Sequence, residues 1–124
     1  MAIEGPSSSG QAVAGEAVRV VLYASGELLE RREDLAAARE WAREQGFSVI
    51  DSFEDDLFTW LVWNREPLRG ALGVIAAGRA DALAIPQATM VALSEGDRHW
   101  LSSALGEIGG RLETVPRARV DSLA

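Results

Sequence analysis

Cysteine and lysine are both missing from this chain of 124 residues. Without cysteine there is no disulfide, no thiolate nucleophile and no sulfur ligand for a metal. Without lysine there is no Schiff base and no phosphate-loop lysine. One histidine (His99) and one tyrosine (Tyr23) leave few groups able to shuttle a proton near neutral pH. Positive charge is scarce too: 12 arginines stand against 19 acids, a formal net charge of −7. Surfaces that bind DNA or RNA gather cations to displace counterions from phosphates, whereas these arginines are scattered. Nucleic acid and anionic membranes are therefore disfavoured as partners. No stretch approaches the roughly 20 apolar residues of a membrane span. Residues 1–16 lack the basic start and apolar run of a signal peptide. A soluble, cytoplasmic protein is expected, and arginine in place of all lysine, with abundant Ala and Gly, suggests a GC-rich bacterial genome. No cofactor is implied.

What is present suffices for one domain, since 48% of the residues are apolar. Residues 1–16 are Ser/Gly-rich and aperiodic, and read as a disordered leader. The domain is expected over 17–116, with a flexible tail at 117–124. Val18 to Tyr23 (VRVVLY) suits a buried strand, with a turn at Ala24, Ser25 and Gly26. Leu28 to Gln45 has helical spacing, placing Leu35, Ala38, Trp41 and Ala42 on one face, and Gly46 is a natural stop. Phe47 to Phe53 reads as a second strand, followed by an acidic turn at Glu54, Asp55 and Asp56. Asn64 to Gly78 reads as a helix, with Pro67 in its first turn. Asp81 to Ile85 is a third strand that Pro86 ends. Ser94, three residues before Asp97, caps a third helix, and Arg111 to Val115 forms a fourth strand. Short strands alternating with helices imply an α/β fold of three layers, with a mainly parallel sheet of about four strands.

The order and wording of these segments resemble the N-terminal catalytic domain of serine recombinases, the resolvase/invertase family. The Tyr-x-Arg-x-Ser motif closing that family's first strand is answered by Tyr23-Ala24-Ser25-Gly26-Glu27. Arg39 to Ile50 (REWAREQGFSVI), continuing to Phe53-Glu54-Asp55, echoes the next helix and strand. Arg65-Glu66-Pro67-Leu68 echoes an Arg-Pro-x-Leu helix start, and Ala77 to Ile85 echoes the strand that follows. The resemblance spans about residues 18–115 and implies a resolvase-like fold.

It also implies that the chemistry is gone. Recombinases attack a DNA phosphate with the serine of the first motif, while arginines stabilise the charge of the intermediate. Here Glu27 holds the serine position and Ser25 the adjacent arginine position. The family's Asp-Arg-x-x-Arg signature falls on Thr89-Met90-Val91-Ala92-Leu93, so both of its arginines are replaced. A degenerate, non-enzymatic domain is expected.

Four places could carry a different function. Ser25 and Gly26 follow a strand and precede a helix, where doubly wound folds bind phosphate or flavin, although an ordinary strand–helix turn explains them better, since no Gly-rich fingerprint is present and Glu27 and Glu30 would repel an anion. Glu54, Asp55 and Asp56 offer oxygen ligands to a hard cation or form a solvated turn. No metal is expected there, and a phosphoryl-receiver reading fails for want of lysine. With Gln87, the positions Ser25, Gly26 and Glu54 make up a small-molecule or nucleotide-binding alternative at the strand ends. His99 stands off the core face of its helix and has no catalytic companion.

The most informative stretch is Leu57 to Trp63 (LFTWLVW), an almost continuous apolar run carrying two tryptophans. It is either added core or a contact surface. Phe58, Trp60, Val62 and Trp63 are the candidates for an interaction site, because exposed aromatic patches mark partner surfaces. The leading expectation is a protein–protein interaction or regulatory module, with a partner protein or a second copy as its target.

Overall fold

The computed structural model describes residues 17–56 and 65–117. The leader at 1–16, the run at 57–63 and the tail beyond Arg117 lie outside the described residues.

The chain alternates strand and helix. β1 (Arg19–Ser25) leads to α1 (Leu28–Gln45), then β2 (Ser48–Asp55), α2 (Glu66–Ala76) and β3 (Ala82–Pro86). A short α3 (Gln87–Ala92), α4 (Glu95–Glu107) and β4 (Arg111–Val115) complete it. The four strands form one sheet in the order β2-β1-β3-β4, and every neighbouring pair is parallel. Parallel strands must be joined by crossovers, and helices on both faces follow from that.

Alternation along the central strands divides the core. Val20, Leu22 and Ala24 of β1, with Ala82 and Ala84 of β3, meet Leu35, Ala38 and Ala42 of α1 on one face. Val21, Tyr23, Leu83 and Ile85 point the other way, against Leu68, Ala71 and Ile75 of α2 and Leu101 and Leu105 of α4. Each fully buried leucine contributes about 1.5–3 kcal/mol through lost apolar area. This is the expected three-layer α/β arrangement. α1 ends where the sequence signals it: Gly46 takes φ +78°, and its N–H reaches the carbonyls of Ala42 and Arg43.

The ends of β1 and β2 differ most from the sequence reading. β1 runs through Ala24 and Ser25, so the turn is confined to Gly26 and Glu27. β2 runs through Glu54 and Asp55, which the sequence assigns to a solvated turn. β2 is an edge strand whose register with β1 slips at Ile50, a bulge of the kind that blunts sheet edges. α3 has no counterpart in the sequence reading. It is six residues long and has no side-chain cap.

One ion pair joins the amino ends of the central strands β1 and β3. The Arg19 guanidinium meets the Asp81 carboxylate at 2.9 and 3.2 Å, and the Arg19 backbone N–H donates to the same carboxylate at 2.8 Å. These bonds hold the Asp81 carboxyl below its ordinary range.

Candidate site at the carboxyl edge of the sheet

In an open parallel sheet the ligand crevice lies at the carboxyl ends of the strands, where the connections change direction. Here that point falls between β1 and β3, the neighbours from which the chain departs to opposite sides. Thr89 occupies it. The threonine is 1% exposed, accepts from the Ser25 N–H at 3.1 Å and donates to the Ser25 carbonyl at 3.3 Å. One hydroxyl thus joins the end of β1 to α3 and closes the crevice between them.

Beside it, the ends of β1 and β2 share a polar cluster. The Tyr23 hydroxyl donates to Asp55 Oδ2 at 2.9 Å and accepts from Arg65 Nη1 at 3.2 Å. Burial, with the negative charge of Asp55, pushes the phenol far above its ordinary value of 10, against the opposing pull of Arg65. Arg65 Nε is buried without a hydrogen-bond partner among the described residues.

A second cation binds the turn. Arg31 Nε meets Glu54 Oε1 at 2.8 Å, while its Nη1 donates to the Gly26 carbonyl at 2.9 Å. Asp56 lies 3.5 Å from the same Nη1. Arg31 therefore brings Gly26 and Glu54 together, while Asp56 stays 88% exposed. Glu54 and Asp55 are structural acceptors, not members of a solvated turn. Among the described residues no group of three His, Asp or Glu could hold a metal ion.

Glu27 stands at the N-terminal cap of α1, exposed and without a side-chain bond to the helix. With Glu30 in the first turn it places negative charge where the helix dipole would attract an anion. Gln87 belongs elsewhere. Its Oε1 accepts from the Arg117 N–H at 3.1 Å, and it lines a separate groove with Glu33 and Asp34 of α1 and with Ala88, Pro116 and Arg117. The groove encloses about 240 Å³. Ser25, Gly26 and Glu54 do not line it. His99 is exposed on α4. Phe58, Trp60, Val62 and Trp63 lie outside the described residues, while Asp56 and Arg65 on either side of them stand at this edge.

The sequence singles out Tyr23, Arg65 and Thr89 only as parts of short motifs and says nothing of Arg31 or Asp34 as site residues. A lone tyrosine at the end of an otherwise apolar strand was the available signal, since a buried phenol needs a partner. Thr89 was marked only by its place at the head of the family's signature after the third strand, which does not foretell its bonds to Ser25.

No protein-family model matches the sequence, and no curated protein matches it. Among solved structures, the chain is similar to the C-terminal catalytic domain of ISC1926 TnpA, an IS607-like serine recombinase. The match has a TM-score of 0.65 at 16% identity, and covers 86% of this chain and 77% of that one. The fold is serine-recombinase-like, as the sequence resemblance implied.

Proposed function

We propose that this serine-recombinase-like domain does not cleave DNA and acts through contacts with other proteins. The observation that carries the reading is the charge of the carboxyl edge. Glu27 is exposed at the head of α1, in the position the resemblance gives to the nucleophile, with Glu54, Asp55 and Asp56 at the end of β2. Two of the arginines at this edge are turned inward, Arg31 to Glu54 and the Gly26 carbonyl and Arg65 to the Tyr23 hydroxyl, while the exposed Arg32 lies 3.7 Å from Glu54. Cleavage of a phosphodiester relies on cations aimed at the developing charge, and carboxylates there would repel it.

The signature positions after β3 support the same reading. Leu93 is 4% exposed and belongs to the core, and Met90 packs against that core. Both side chains serve packing at places where the resemblance calls for arginine. Ser25 is held at its backbone by Thr89.

Relaxation and strand exchange of supercoiled plasmid, with a gel-shift assay on random duplex DNA, test the reading. The expected result is no covalent protein–DNA adduct, no change of topology and no binding at physiological salt. Cleavage that is lost in Ser25→Ala or Glu27→Ala would overturn it, as would micromolar DNA binding with a steep salt dependence.

A further inference from the structure

The groove between α1 and α3 is not used by the polar clusters of the carboxyl edge. Helical spacing shows how it continues. Leu29 lies one turn before Glu33 on the same face of α1, and Val91 lies one turn after Gln87 on the same face of α3. These two are the most exposed large apolar side chains among the described residues, at 76% and 68%. On each helix an uncovered apolar side chain thus lies one turn beyond the residues that line the groove. The rest of the lining includes Ala37, Pro86 and Val115, which give it an apolar floor.

The charge of the groove is one-sided. Glu33 and Asp34 line it against a single guanidinium, that of Arg117, and Glu30 stands one turn before Asp34 on the same face. Burial raises the Asp34 carboxyl above its ordinary value, opposed by Arg117 and reinforced by Glu33. An ionised Asp34 is thus short of solvation and gains from an added cation. The volume of about 240 Å³ falls below the roughly 300–1,000 Å³ of typical small-molecule sites. It suits a single long side chain, whose methylene stem lies on the apolar floor while its charged head reaches the carboxylates.

We propose that this groove docks a peptide segment of a partner protein that presents an arginine or lysine beside an apolar residue. The basic head pairs with Glu33 and Asp34, and the apolar neighbour packs on Leu29 or Val91. This rests on the reading of the domain as an interaction module and names the chemistry of its partner.

The test is a titration of the isotopically labelled full chain, followed by amide resonances, with a blocked heptapeptide of sequence Gly-Arg-Leu-Ser-Arg-Leu-Gly. The control carries glutamate in place of both arginines. The basic peptide is expected to shift Leu29, Glu33, Ala88 and Val91 saturably, and the acidic one to leave them in place. Reversing the wall with Glu33→Arg and Asp34→Arg weakens the basic peptide by about tenfold or more and admits the acidic one. That gain keeps the test clear of simple unfolding, which the melting curve of the variant also monitors. Shifts spread over the whole surface, equal binding of both peptides, or no shift would each overturn the proposal. Concentration-dependent shifts of these residues without peptide would make a second copy the occupant. Movement of the resonances of 118–124 in Val91→Glu would make the chain's own tail the occupant. Either result overturns the partner-peptide proposal. A silent groove combined with association that depends on Trp60 and Trp63 leaves the interaction reading standing, whereas DNA cleavage removes that reading whatever the peptide does.

Discussion

Thr89 and Ser25 are joined twice, by the Ser25 N–H to the threonine hydroxyl and by that hydroxyl to the Ser25 carbonyl, at 3.1 and 3.3 Å. The bond closes the sheet at the point where doubly wound folds open for a ligand. Thr89→Val keeps the shape and removes the hydroxyl, leaving the polar groups of Ser25 with an apolar neighbour. A loss of about 1–3 kcal/mol in denaturant-unfolding stability is expected. An unchanged midpoint would mean that water replaces the hydroxyl and that the crevice is open.

Tyr23 is the single tyrosine of the chain, so a phenolate band near 295 nm is its own once the change that the four tryptophans give on unfolding is subtracted, for which Tyr23→Phe is the blank. The phenol is 1% exposed, and burial raises it far above its ordinary value of 10. Because the folded value is raised, the stability it contributes is complete below pH 10 and declines as pH rises past that ordinary value towards the folded one. The phenolate signal should therefore appear together with alkaline unfolding and not before it. A titration near pH 10 with the fold intact would refute the buried cluster. Tyr23→Phe tests it independently: Asp55 and Arg65 each lose a partner, at a cost of about 1–3 kcal/mol.

The legibility of the molecule follows from the range of the interactions. Local signals gave α1 its ends, because Gly46 can adopt the left-handed conformation that stops a helix. The apolar runs of β1 and β3 declared a buried parallel sheet. Glu54 and Asp55 were misplaced because acids are poor strand formers, and what holds them extended comes from afar. Asp55 is bonded to Tyr23, 32 residues away, and Glu54 to Arg31, 23 residues away. The short α3 has neither a cap nor enough length to show a period, and tertiary packing supplies what its sequence lacks. The polar clusters were hidden for the same reason, since Arg65 reaches Tyr23 across 42 residues.

Two aspartates should give opposite responses to acid. Asp81 is lowered chiefly by its hydrogen bonds from Arg19. Its contribution is present above its ordinary value of 3.8 and is lost as pH falls through the lower folded value. Asp34 is raised, chiefly by burial, so its charge opposes folding at neutral pH and relief comes as pH falls through the raised value. Asp81→Asn should lower the melting temperature at pH 7, and Asp34→Asn should raise it slightly. The Asp34 difference should fade as pH falls from the raised value to the ordinary 3.8, and the Asp81 difference only as pH falls below 3.8. Solvent screens both groups, so the shifts are small. Changes of the same sign for the two variants would contradict the assignment.

The interaction reading makes its sharpest claim on Trp60 and Trp63, which lie outside the described residues. If the run LFTWLVW is a contact surface, replacing both tryptophans with alanine leaves folding stability nearly unchanged. The same change abolishes self-association or partner capture, because aromatic anchors contribute about 2 kcal/mol or more each at an interface. A core position behaves in the opposite way. Truncating a buried indole costs roughly 3–5 kcal/mol, a large part of the roughly 5–15 kcal/mol that holds a small domain together. Thermal melts and light scattering on the parent and the double variant separate the two. The expected outcome is a retained melting temperature with lost association, and a collapsed melting temperature at unchanged monomeric mass would assign the run to the core.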